Sequence, residues 1–140
     1  ILTDSCMQKD NHIRELSFDL LLQEIEVSII AATSRIYATH FLWTHDDMIF
    51  PEPYQNALRK SNCSVRQRII FGNKNLYWEF LESESLWFSN SFTLESHYQR
   101  MLLVDNKIFF RSWRHFYVSS SSDQVSKFLE YFTSINTVSS

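Results

Sequence analysis

Two periods of apolar residue alternate along this chain, and each predicts a kind of element. From Asp10 the apolar positions Ile13, Leu16, Leu20, Leu21, Ile25 and Val27 recur at helical spacing, which predicts a helix over about 10–27 with Glu15, Glu24 and Glu26 on its wet side. The run Val27-Ser-Ile-Ile-Ala-Ala-Thr33 is β-branched and apolar, the signature of a strand buried on both faces. Between Ser34 and Phe50 the pattern breaks. Tyr37, Phe41, Leu42 and Trp43 are interrupted by His40, His45, Asp46 and Asp47, and the expectation is a polar loop. Pro51 and Pro53 suit a first helical turn, where no amide donor is needed, so a helix is expected over Glu52–Lys60 with Asn62 as a left-handed C-cap after Ser61. Val65 to Phe71 then turns from alternating to apolar, as a strand entering a core does.

After Gly72, Asn73 or Asn75 can cap a short helix over Leu76 to Leu81, and Ser85 to Phe92 alternates as a strand. The central piece runs from His97 to Trp113. Two apolar runs, Met101 to Val104 and Ile108 to Phe110, flank Asp105-Asn106, whose side chains tolerate the positive φ of a two-residue primed turn. That turn pairs Leu103 with Ile108, Leu102 with Phe109 and Arg100 with Arg111. Trp113 to Val118 forms a last strand, broken by the serines 119 to 122. Ser122 or Asp123 caps a closing helix striped by Val125, Phe128, Leu129 and Phe132. These elements predict an α/β fold with a mixed sheet of about five to six strands, a central hairpin and flanking helices. The organisation expected is a lead-in over 1–9, a single domain over 10–135 and a tail over 136–140.

Composition narrows the function. The 140 residues suffice for one core, and 16% aromatic residues, twelve of them Phe, supply it. A net charge of −3 with mixed signs disfavours a nucleic-acid backbone as the main partner. Gly72 is the single glycine, which removes the glycine-rich loops that cradle nucleotide phosphates. Cys6 and Cys63 are too few and too far apart for a disulfide scaffold or a Cys-x-x-Cys site, so reduced thiols in a cytoplasmic protein are expected. Asn62-Cys63-Ser64 is a glycosylation triplet that would matter only in a secreted chain. No window of 18 apolar residues and no signal-peptide pattern is present. His40 and His45, five apart beside two carboxylates, do not match the four-residue helical spacing of a zinc pair.

Three stretches carry a resemblance. Ala57-Leu-Arg-Lys-Ser-Asn-Cys-Ser-Val-Arg-Gln-Arg-Ile-Ile-Phe71, Met101-Leu-Leu-Val-Asp-Asn-Lys-Ile-Phe109 and Phe116-Tyr-Val-Ser-Ser-Ser-Ser-Asp-Gln-Val-Ser-Lys-Phe-Leu-Glu-Tyr-Phe132 resemble, in order, a helix-to-strand unit, a Leu-Val-Asp-x-Lys hairpin and a closing strand and helix. Together they make roughly residues 15–135 similar to one half of a phospholipase D-like domain, in the degenerate form of the C-terminal effector domain of TrmB-like transcription regulators. The active family carries His-x-Lys-x4-Asp followed by Gly-Ser-x-Asn. Here His97 is followed by Gln99 in place of Lys, Asp105 falls one residue late, and Arg111-Ser112-Trp113-Arg114 stands for Gly-Ser-x-Asn.

The chemistry left at the hairpin mouth is donor-rich and cationic. His97, Gln99, Arg111, Ser112 and Arg114 form the candidate ligand-binding set, suited to a small anionic or sugar-like effector because Arg holds anions through two parallel hydrogen bonds. The alternative for Arg100 and Arg111 is a solvated sheet edge. Trp43, Trp78, Trp87 and Trp113 can stack on a sugar, but in a small aromatic-rich domain the default is core. The first reading is a non-catalytic ligand-sensing or interaction domain of a transcription regulator, without cofactor, metal or membrane partner. It is expected to self-associate, with the closing helix as the candidate dimer contact, and to reach DNA only through a part preceding Ile1. The second is a phosphodiesterase or nuclease completed by dimerisation. The third is a structural interaction module.

Overall fold

The computed structural model describes residues 13–48, 52–84, 88–93 and 100–139. Its order is β1 (Ile13–Leu16), α1 (Phe18–Ala31), β2 (Ile36–Leu42), a 3-10 turn (His45–Met48), α2 (Glu52–Lys60), β3 (Arg66–Gly72), α3 (Lys74–Glu84), β4 (Ser89–Thr93), β5 (Met101–Val104), β6 (Lys107–Ser112), β7 (His115–Ser119) and α4 (Ser122–Ser139). Among the described residues the strands form one seven-stranded mixed sheet in the order β1-β7-β6-β5-β2-β3-β4. β2, β3 and β4 run parallel, while β5, β6, β7 and β1 extend the sheet antiparallel. The strand count is slightly above the five to six expected, and the mixed α/β class is as expected.

Successive side chains of a strand point to opposite faces, and this sheet uses both. One face carries Ile36, Val104, Phe109 and Val118 against Leu21, Ile25 and Ile29 of α1 and Ala57 and Leu58 of α2. On the same face, Leu42 and Ile70 pack on Leu76, Tyr77 and Phe80 of α3. The other face carries Ile69, Leu103 and Ile108 against Val125, Phe128, Phe132 and Ile135 of α4. The closing helix therefore spends its stripe inside the fold.

The hairpin forms in the expected register, with Leu102 opposite Phe109 and Leu103 opposite Ile108. Asp105 alone of the turn pair takes positive φ, at 53°. Its carboxylate is the staple of the molecule. Oδ1 accepts from the backbone N–H of Ser34 at 2.8 Å and of Thr33 and Arg35 at 3.2 Å, and from the Ser34 hydroxyl at 2.8 Å. Arg35 answers by donating Nε to the Asp105 carbonyl at 3.0 Å and Nη2 to Asn106 Oδ1 at 3.1 Å. The hairpin tip thus holds the loop that joins α1 to β2. Burial works to raise the Asp105 pKa, but the Ser34, Arg35 and Thr33 donors outweigh it and hold the carboxyl below its usual range.

Several local expectations are corrected. The helix expected over 10–27 is β1 followed by α1, because Ser17 takes extended φ/ψ and caps the helix by accepting from Leu20 N–H at 3.3 Å. The strand expected over 27–33 is the end of α1, where Ile25 and Ile29 continue the stripe begun by Leu21. The polar loop expected over 34–50 contains β2, a strand at the middle of the sheet. Asn62 does not take positive φ. Arg66 does the capping instead, donating Nη2 to the Leu58 carbonyl at 2.8 Å and the Ser61 carbonyl at 3.0 Å. Of the two cap candidates for α3, Asn73 is the one used, its Oδ1 accepting from Asn75 and Leu76 N–H. The last strand begins at His115, since Trp113 (φ 58°) lies in a second turn. Trp43, Trp78 and Trp113 are exposed, not core, and Trp87 lies outside the described residues.

Gly72 has a steric reason to be glycine. Its φ is 143°, and a Cβ there would stand 2.2 Å from the Leu42 carbonyl oxygen. That oxygen accepts from Asn73 N–H at 2.8 Å, which ties the carboxyl ends of β2 and β3 together.

Candidate ligand cavity

A cavity of about 400 Å³ lies between the sheet and helices α1 and α2. Its floor is the even-numbered side chains of β2, β3 and β5 and the odd-numbered side chains of β6, and its roof is the buried stripe of α1. Open α/β sheets bind ligands beyond the carboxyl ends of their parallel strands, and the charged members of this lining collect toward that end: His40, Asp46, Asp47, Arg100 and Arg111. Arg68 joins them from the middle of β3.

Arg68 is the buried cation of the site, 1% exposed. Its Nε donates to Asn90 Oδ1 at 2.8 Å, and its guanidinium lies over the rings of Phe80 and Phe88, 4.5 and 4.6 Å from their centroids. Two aromatic faces against the cation lower the cost of keeping it from water. His40 projects from β2 onto the same face and stacks on Phe80 at 5.5 Å. Its Nε2 lies 2.7 Å from the Asp47 carbonyl, so that nitrogen carries the proton and donates. Burial and then the Arg68 charge, with Arg100 adding to them, lower the His40 pKa to about 4. The imidazole is therefore neutral at neutral pH.

Asp47 shapes the rim. Its Oδ2 accepts from the N–H of Trp43 at 2.9 Å and Thr44 at 3.0 Å, closing the turn after β2. Burial acts to raise its pKa, yet those two donors, with Arg100 and His40, hold it below the ordinary value. Tyr54 of α2 is pushed up to about 12 by burial, against an opposing effect of Arg100. The Tyr54 hydroxyl thus stays protonated at neutral pH.

Of the five residues expected at the site, Arg111 lines this cavity. Its Nε donates to the Trp113 carbonyl at 2.6 Å, and its guanidinium sits 5.5 Å from the Phe116 ring centroid. Ser112 closes the β6–β7 ladder opposite His115, and the exposed Arg114 lies in the turn, both outside the lining. His97 and Gln99 lie outside the described residues. The β5–β6 ladder runs to Met101 opposite Phe110, one step short of Arg100 and Arg111, and both arginines reach the cavity mouth. His45 is not part of the cavity; it pairs with Glu79 at 2.8 Å on the surface. Among the described residues no group of three or more His, Cys, Asp or Glu is placed to hold a metal ion.

Sequence reasoning missed His40 and Arg68, and it weighed Arg100 beside Arg111 as an anion-binding cation or a solvated edge without placing it in the site. The first was assigned to a loop, and Arg68 was read only as the basic start of a strand. Arg100 had a usable signal. It precedes Asp105 by five residues, the Lys-to-Asp step of the family motif, so counting from Asp105 instead of His97 puts Arg100 in the place of the Lys and Tyr98 in the place of the His.

No protein-family model and no curated protein matches the chain. Solved structures do. The chain is similar to TrmBL2, an archaeal chromatin protein described as binding DNA in a novel mode, with a TM-score of 0.60 at 14% identity over 88% of this chain and 49% of that one. It thus spans about half the length of TrmBL2. It is also similar to NucT from Helicobacter pylori (TM-score 0.54, 13% identity) and to Nuc from Salmonella typhimurium, a phospholipase D family member (TM-score 0.52, 12% identity). Each of those two matches covers 88% of this chain and 92% of the other. A sheet of this order, a stapled hairpin at its centre and helices on both faces make this a phospholipase D-like fold, the one it shares with TrmBL2, NucT and Nuc.

Proposed function

We propose that this domain is a non-catalytic sensor that holds a small anionic effector in the cavity beneath α1, as part of a cytoplasmic regulator that reaches DNA through another of its parts. The observation that carries this reading is the lining itself. Three guanidiniums, from Arg68, Arg100 and Arg111, border a cavity of ligand size, and the one described histidine in it is neutral and donates to a backbone carbonyl. His40 holds the Asp47 carbonyl through Nε2 and stacks its ring face on Phe80, which supports a role in shaping the rim. An anion bound to Arg100 and Arg111 touches β5 and β6, while its body touches α1. Occupancy therefore biases the position of α1 and of the Asp105-stapled loop after it, and that bias is the signal a sensor passes on. Spanning half of TrmBL2 supports a place beside a second, DNA-binding part. A second copy of this domain is the expected partner.

Thermal unfolding of the 140-residue chain with a panel of organic anions, phosphates, nucleotides and sugars tests the reading. A true effector at about 100 times its dissociation constant adds about 2.7 kcal/mol of stability, and a flat response across the panel rejects the sensor. The fold shared with NucT and Nuc favours a second reading, a phosphodiesterase completed by dimerisation. Turnover of a phosphodiester by the parent dimer, lost in His97→Ala, would establish that reading in place of the first.

A further inference from the structure

Resting on the sensor reading, we infer that the effector is an amphipathic anion: a single anionic head on Arg100 and Arg111, and an unbranched apolar body lying between α1 and the sheet. The cavity is divided in its chemistry. On the α1 side its walls are Leu21, Ile25 and Ile29 of α1, Leu58 of α2 and Phe109 of β6, every one of them buried, while the β3 side carries Arg68. A sugar placed there would strip water from hydroxyls that find aliphatic carbon in its stead, which is unfavourable for each hydroxyl. A hydrocarbon chain meets the opposite balance, gaining about fourfold in affinity for each methylene it buries.

The mouth is built for the same molecule. Phe18 at the start of α1 and Phe116 of β7 stand 5.7 Å apart as an aromatic gate, and Phe18 is 57% exposed. An exposed phenylalanine at a cavity entrance offers apolar surface to the body of such a ligand. Beside the gate, the hydrogen bond from Arg111 Nε to the Trp113 carbonyl fixes the guanidinium close to the Phe116 ring. Its terminal nitrogens remain on the mouth side to take an anionic head. Asp46 and Asp47 also line the cavity, and Arg100 acts on Asp47, so the positive charge left for a ligand suits one anionic group and not two.

Calorimetric titration of the 140-residue chain with hexanoate, octanoate and decanoate below their micellar concentrations reads the body of the ligand. Affinity is expected to rise about fourfold per methylene. Neutral 1-octanol, expected at least tenfold weaker than octanoate, reads the head. In Arg111→Gln that gap is expected to narrow severalfold, while the circular dichroism spectrum is unchanged. Octyl phosphate binding as well as octanoate keeps the inference and widens the head to phosphates. Acetate or inorganic phosphate binding as tightly as decanoate would overturn it and leave a simple anion sensor. Glucose or another sugar binding in place of the carboxylates would also overturn it while sparing the sensor. No binding by any probe would remove both.

Discussion

Under α4 the middle of the sheet is filled. Phe132 is 1% exposed and stacks on Tyr37 at 4.8 Å with nearly parallel rings, and Phe128, Ile69, Leu103 and Ile108 close around the pair. A smaller groove of about 240 Å³ lies at its margin, bordered by Met101, Phe110, Gln124 and Lys127. Under α1 and α2 the same strands leave about 400 Å³ open and line it with three arginines and a histidine. One chain thus packs one face of its sheet to hold the fold and relaxes packing on the other to leave room for a second molecule. Close packing is the default for a protein interior, so the open face is where a function other than folding is to be sought.

The largest expected effect breaks the filled face. Phe132→Ala removes a side chain enclosed on all sides and is expected to cost about 3–5 kcal/mol in denaturant unfolding. Leu21→Ala, at the cavity wall, is expected to cost about 2 kcal/mol, because its removal enlarges a space that already exists and forms no new void among close neighbours. Equal costs for the two would mean that the faces do not differ in packing.

The next effect is in pH and belongs to the open face. His40 has a folded pKa of about 4 against an ordinary 6.5, lowered by burial first and then by Arg68. Between those values the unfolded chain binds a proton that the folded chain does not, so stability is full above pH 6.5, falls as pH drops toward 4 and is level for this group below 4. The loss is expected to reach about 3 kcal/mol across that window. Unfolding midpoints measured at pH 7 and 4.5 in the parent and in His40→Gln check it, and the variant is expected to lose most of the dependence. Asp105 and Asp47, with lowered folded pKa values, lose their share at still lower pH, below the ordinary carboxyl value near 3.8.

A third effect tests the joint between the two faces. Asp105→Ala strips four donors, three of them backbone N–H groups in the α1–β2 loop, of their shared acceptor. The expected cost is about 2 kcal/mol, and hydrogen exchange is expected to quicken at Ser34 and Arg35 before it does so in β3. Exchange that quickens evenly across the sheet would mean that the carboxylate does not hold that loop in particular.

The division between the faces also explains what could be read from the sequence. The hairpin was legible because its register is set locally, by a two-residue turn and apolar partners a few positions away. α2 and β3 were legible because Pro51, Pro53 and the run Ile69-Ile70-Phe71 mark them within their own windows. β2 was not, although it lies at the middle of the sheet. Its odd-numbered side chains Tyr37, Thr39 and Phe41 meet one face and the even-numbered Ala38 and His40 meet the cavity, so neither apolar alternation nor an unbroken apolar run appears. The polar residues that make the site are what disguised the strand that carries it. α1 was shifted for a different reason: Ser17 ends one element and starts the next, and the β-branched tail Val27 to Ile30 is held helical by the packing of Ile25 and Ile29, not by propensity. Arg68 was unreadable as a site residue because its rings, Phe80 and Phe88, come from α3 and the approach to β4, and no window of sequence brings them together.

The smallest expected effect sharpens the border of the open face. Arg111, Ser112 and Arg114 are neighbours in sequence, yet Arg111 alone of the three reaches the cavity, since strand alternation turns Ser112 to the other face and the turn carries Arg114 into solvent. Ser112→Ala and Arg114→Ala are therefore expected to change stability by less than about 0.5 kcal/mol and to leave octanoate binding as it is in the parent. Arg111→Gln is expected to spare stability equally, because its guanidinium is exposed, while weakening octanoate severalfold. Competition titrations on the three variants side by side decide the matter. If Arg114→Ala weakens binding as much as Arg111→Gln does, the ligand lies across the β6–β7 turn instead of beneath α1, and the open face is not where this domain does its work.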